Sequence, residues 1–131
     1  MKTIEIPREQ WGHFCERLTE LHRGAMVTVK VEEPEAGERI LADQQQLQSI
    51  VLDDRSDDCN DIIIVETSAP DRKGNQHRII EPVYVRLKNG DNDRYNHLHI
   101  LAESGNTVIT LHPGFNPALA RDFAYTRLVH H

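Results

Sequence analysis

Three histidines and one glutamate fall within a single short stretch, RYNHLHILAESGNTVITLHPG, from Arg94 to Gly114. His97 and His99 are two residues apart, the spacing at which side chains of an extended strand share a face. Gly105–Asn106 has the composition of a two-residue hairpin loop with glycine first. In that register Ala102 pairs with Ile109 and Ile100 with Leu111, apolar against apolar. His99 then lies directly opposite His112. Opposite β-carbons are about 5 Å apart, so His97, His99 and His112 would share one patch, with Glu103 on the same face. Three neutral imidazoles with an open fourth position suit zinc, and an added carboxylate suits iron or manganese. The residues expected to hold a divalent metal (Zn, Fe or Mn) are therefore His97, His99, His112 and Glu103.

The spacing His97–x–His99–x3–Glu103, with His112–x3–Asn116, also resembles the ligand pattern of cupins, which would make the chain a cupin-like metalloenzyme. Two departures weigh against it. The second cupin motif lies well downstream, whereas only Ser104 to Leu111 separate the two here, and the leading glycine, Gly90, is displaced by one. A structural reading competes with both. Leu98, Ile100 and Ala102 turn inward, so something must face outward, and histidine serves there beside Tyr95 and Thr110. Close imidazoles resist charging together, so a pH-sensitive patch is a further reading.

Other constellations are weaker. DDRSDDCND, from Asp53 to Asp61, is dense in carboxylates, but it lacks the glycine of a calcium loop and, counted from Asp57, has Ser68 where the twelfth-position glutamate belongs. It reads as an acidic turn, as does Asn89 to Asp93. His77 and Glu81 share the strand parity of Ile79, Val83 and Val85, which would set a His–Glu pair on the apolar face. Cys15 and His22 are seven helical steps apart, about 10 Å of rise, too far for a nucleophile and its base. There is no phosphate loop, dinucleotide fingerprint, HExxH or nucleophile elbow.

The elements that would carry these residues follow from periodicity. Pro7 to Arg23 reads as a helix: Trp11, Phe14, Cys15, Leu18 and Leu21 form one stripe, Pro7 suits the first turn and Gly24 the stop. Gly12 inside it suggests close packing on a sheet. From Ala25 the period becomes two, and Val27, Val29 and Val31 form one face of a strand. RILA and LQSIVLD read as short strands flanking Gln44 to Gln46. The unbroken run DIIIVET reads as a central strand covered on both sides. QHRIIEPVYVRL reads as one long strand, with Pro82 marking an edge or bulge. YNHLHILAES and TVITLH complete the meander. Asn116 caps and Pro117 opens a short terminal helix with Leu119 and Phe123 inward. The fold expected is α+β: an N-terminal helix on a strongly curved antiparallel sheet, or partly closed barrel, of five to seven strands, then a short C-terminal helix or tail. Residues 1–129 form one domain, and His130 and His131 are set aside as a candidate tag remnant.

Composition bounds the partners. The 131 residues carry a net charge of −6, and 25–61 hold three basic against ten acidic side chains. That bias argues against phosphate-backbone binding, although a helix followed by a bent antiparallel sheet also describes Sm-like nucleic-acid binders. No apolar run approaches the ~20 residues that span a bilayer, and no signal core precedes the helix, which points to the cytoplasm. Cys15 and Cys59 are expected as reduced thiols.

IPREQW, HRGAMVTVKV, HRIIEPVYV and LHILAESGNTVITL together resemble a family of small bacterial proteins known as a domain of unknown function, over roughly Ile6 to Leu111. The resemblance implies a stand-alone cytosolic protein without an assigned cofactor. The sequence as a whole points to a non-catalytic module that binds a protein or small-molecule partner, with a homodimer through the Pro82 strand or the hairpin as one form.

Overall fold

The computed structural model describes residues 3–53, 61–69, 72–89, 94–111 and 114–124. Pro7 is extended and opens a 3-10 turn, Arg8–Gln10, that runs into helix α1, Trp11–His22. The stripe read from the sequence is the buried one: Trp11, Phe14, Cys15 and Leu18 all face the core. The Trp11 indole N–H donates to the Ile6 carbonyl at 2.9 Å, which fixes the helix start on the preceding strand. Gly24, at φ +90°, ends the helix, and its N–H donates to the Leu47 carbonyl.

Among the described residues, eight antiparallel strands form one sheet: β1 Thr3–Ile6, β2 Met26–Glu33, β3 Gly37–Asp53, β4 Ile62–Ala69, β5 Arg72–Ile80, β6 Tyr84–Asn89, β7 Tyr95–Ala102 and β8 Gly105–Leu111, in the order β1-β6-β7-β8-β2-β3-β4-β5. The α+β class with its antiparallel sheet is as expected, but the strand count is higher and the sheet is not closed. The N-terminal TIEI adds an unanticipated edge strand on β6. RILA and LQSIVLD are one strand of 17 residues, kinked at Gln44, whose φ is +50°. The presumed long strand through Pro82 breaks into β5 and β6 at Glu81, which has φ +54°.

That break shows how far the sheet bends. β5 and β6 are six strands apart in the order, about 29 Å in a flat sheet, yet three residues join them and can span only about 14 Å. The sheet therefore curls. His77 on β5 reaches Thr107 on β8, 3.1 Å away, across the concave side.

β2 pairs β3 only as far as Gln46, so from Leu47 to Asp53 one edge of β3 has no strand beside it. Helix α1 occupies that edge. The Thr19 hydroxyl accepts from the Ile50 N–H at 3.0 Å and donates toward the Ile50 carbonyl at 2.9 Å, and Arg23 Nε donates to the Gln48 carbonyl. Helix α2, Pro117–Ala124, is capped by Asn116, whose side-chain oxygen accepts from the Ala118 N–H. Leu119 and Phe123 of α2 are buried, and Phe123 packs edge-on against Phe14. Both helices thus seal the concave core, made of Val27, Val29, Ile50, Ile63, Val65, Leu98, Ile100 and Ile109 from the strands.

Candidate functional site

The histidine strand faces as read, but its hairpin turns elsewhere. Leu98, Ile100 and Ala102 are buried, and His97 and His99 lie on the outer face. The loop is Glu103–Ser104, since Ala102 pairs with Gly105, and His99 sits opposite Val108 rather than His112. Gly105 is needed for a different reason. At φ +149°, a β-carbon there would stand 2.8 Å from the Glu32 carbonyl oxygen of β2. The glycine lets β8 approach β2 and does not form the turn. His112 lies outside the described residues. Among the described residues, no group of three or more His, Cys, Asp or Glu side chains could hold a metal ion.

Each imidazole has a partner across the hairpin. His97 Nδ1 is 3.0 Å from Thr110 Oγ1, and His99 Nδ1 is 3.0 Å from Asn106 Nδ2. The rings are 6.4 Å apart and nearly perpendicular. Asn106 Nδ2 also donates to Glu32 Oε1 at 3.1 Å. A carboxylate only accepts, so Glu32 fixes the amide orientation, and the amide in turn makes His99 Nδ1 an acceptor. The His99 proton then resides on Nε2, so the ring offers a donor there rather than a lone pair. Burial, with Lys88 adding to it, pushes the His99 pKa down to about 4. Glu103 is exposed in the turn.

The other candidates separate. His77 points into the concave side, where burial, and then Arg39, lowers its pKa. Its partner is Thr107, and Glu81 is exposed beyond the end of β5. His22 accepts from the Asn116 N–H through Nε2 at 3.0 Å and stacks edge-on with Phe115; burial lowers its pKa. It ties the end of α1 to the start of α2. Cys15 is a free, buried thiol that burial, and then Glu16, pushes up to about 12. A thiol held neutral is not a nucleophile. Cys59 and most of the acidic stretch from Asp53 to Asp61 lie outside the described residues. No helix among them is long and apolar enough to cross a membrane.

The sequence reading missed one surface. DIIIVET is not covered on both sides: Ile63 and Val65 are buried, while Ile62 and Ile64 face outward and are half-buried. On that outer face Val51 pairs with Ile64 and Ile62 with Ile80. Val51 is 42% exposed and Ile80 55%. Arg78 flanks Ile64 on β5, and Glu66 lies two residues along β4. Four aliphatic side chains from three strands thus form a patch that neither helix covers. The signal was present in the sequence, because a buried strand beside polar-alternating neighbours must expose one apolar face.

The family model for a family of unknown function (DUF5335) matches residues 2–115, and the chain belongs to that family. No curated protein matches. No solved structure matches either.

Proposed function

Starting from membership in that family, we propose that the protein is a non-catalytic binding module that acts by protein association, and that the outer patch of β3, β4 and β5 docks a second copy of the chain. The observation carrying this reading is the uncovered set Val51, Ile62, Ile64 and Ile80. A scattered exposed residue is ordinary, whereas a contiguous apolar patch with a polar rim is the mark of an association site. The rim supports a two-fold arrangement. A two-fold axis lying in the face through Ile64 sets Ile64 on its own copy and Val51 on Ile62 of the second copy. The same axis brings Arg78 against Glu66 of the second copy. An isologous interface requires this pairing of unlike groups. The patch is small compared with the ~800 Å² per partner of a stable complex, so the association is reversible and concentration-dependent.

Sedimentation equilibrium over a wide concentration range tests the reading. The wild type is expected to shift from monomer to dimer, and Ile80→Glu to remain monomeric with an unchanged melting temperature. A wild type that stays monomeric throughout, or an Ile80→Glu variant that dimerises equally, refutes it.

A further inference from the structure

The outer face of β6, β7 and β8 gathers cations and imidazoles in adjoining rows, with Asn106 Oδ1 buried there without a hydrogen-bond partner among the described residues. Lys88 pairs with His97 and Arg86 with His99, and the two rows continue through Thr110 and Val108 to Thr28 and Lys30. Among the described residues, three acids on this face are engaged. Glu5 holds Arg86 at 2.8 Å. Glu38 holds Lys30 at 3.1 Å. Glu32 accepts from Asn106 at 3.1 Å and stands 3.9 Å from Lys30. Lys88 forms no ion pair with any described residue. His99 Nε2, which carries the proton, has no partner among the described residues either. Val108, opposite His99 on the same face, is only 3% exposed, so the side chains around it are closely packed.

The orientation of His99 is built rather than incidental. Turning the Asn106 amide over would place its oxygen against the Glu32 carboxylate. The chain Glu32–Asn106–His99 therefore keeps the proton on Nε2, and Lys88, paired with His97, is the diagonal neighbour of His99 on the same face, within reach of a long side chain. A fixed N–H near an ammonium that no described carboxylate pairs suits an oxygen anion, since charge-assisted hydrogen bonds from both could converge on it. We propose that this face is an oxyanion site in which Lys88 and His99 Nε2–H hold a phosphate or carboxylate group, with Asn106 as the positioning residue. The groups facing His99 are Lys88 and Arg86 of β6, His97 of β7, Asn106 of β8, and Lys30 and Glu32 of β2. A bound anion offsets the Lys88 charge, so it raises the proton affinity of His99 and binds more tightly as pH falls.

Side-chain ¹⁵N NMR of the imidazoles in the full chain tests this, with sodium phosphate and sodium acetate titrated separately at constant ionic strength. The His99 Nε2 resonance is expected to move saturably. Lys88→Gln should weaken the binding about tenfold or more, the loss of one charge-assisted bond, and Lys88→Arg should retain it. Asn106→Ala should introduce Nδ1-protonated His99 even without anion, a readout that loss of packing alone does not produce. Saturation by phosphate only assigns a phosphoryl ligand, and comparable saturation by acetate assigns a carboxylate. Non-saturating shifts with both anions, or Lys88→Gln titrating like the wild type, overturn the proposal. The dimer patch lies on other strands, so the two outcomes are independent.

Discussion

Replacing Thr19 with valine removes one oxygen and keeps the shape of the side chain. That oxygen serves both backbone groups of Ile50 on the strandless edge of β3: it accepts from the N–H at 3.0 Å and donates toward the C=O at 2.9 Å. Its proton is shared with the Cys15 carbonyl, also at 2.9 Å. Thr19 is 7% exposed and Ile50 1%, so water cannot take the place of the hydroxyl. A buried N–H left without a partner costs about 1–3 kcal/mol, and the carbonyl adds part of a second such cost. The valine methyl recovers little, because threonine already fills the volume. The net loss is therefore about 2–4 kcal/mol. For a chain of this length each kcal/mol moves the melting temperature by roughly 3–5 °C, so Thr19→Val should melt about 8–15 °C lower. Thr19→Ser keeps the hydroxyl and loses one methyl, about 1 kcal/mol, and should fall only a few degrees. Thermal and urea unfolding followed by circular dichroism measure both. If Thr19→Val melts within about 2 °C of the wild type, the helix does not substitute for the missing strand in the way described.

Two glycines should respond in opposite directions. A β-carbon at Gly12 meets Leu52 at an ordinary 3.8 Å, so Gly12→Ala should stabilise by up to about 1 kcal/mol through helix propensity; a lower melting temperature would refute this. Gly105→Ala combines φ +149° with a 2.8 Å approach to the Glu32 carbonyl and should lower the melting temperature by several degrees or more. Acid should destabilise the fold through His22, His77 and His99, whose folded pKa values are all lowered. The unfolded chain binds more protons, so this stability is complete above the ordinary pKa near 6.5 and is lost as pH falls below it, for His99 down to about 4. His99 alone accounts for up to about 2 kcal/mol by pH 5, so His99→Gln should flatten the pH dependence of melting between pH 7 and 5; an unchanged slope would count against the assignment.

Much of the fold could be read from pattern because helix and strand periods differ. The Trp11 stripe, the Val27–Val31 face, the inward set Leu98, Ile100 and Ala102, and the Asn116 cap with Leu119 and Phe123 inward all lie as periodicity and capping chemistry require. The terminal strand β1 was missed because TIEI is too short to show a period. Gln44 and Glu81 were missed because nothing in either residue type announces a positive φ, the one joining two strands into β3 and the other splitting β5 from β6.

The hairpin shows the limit most clearly. The expected and observed registers differ by four residues in the partner strand, an even number, so every side chain stays on its own face. Leu98 meets Ile109, while Ile100 meets Thr107 and Ala102 meets Gly105, so apolar matching alone favours the register that is not adopted. The inward and outward faces are the same in both registers, so alternation within the hairpin does not distinguish them. The distinction comes from outside it, at β2. Val27, Val29 and Val31 must pair with Leu111, Ile109 and Thr107, and the Glu32 carbonyl leaves room for a glycine only at position 105. A third strand thus decides what His99 faces. Opposite Val108 and beside Asn106, the ring is turned into a fixed donor next to Lys88, and its chemistry is set by a neighbour 67 residues earlier in the chain.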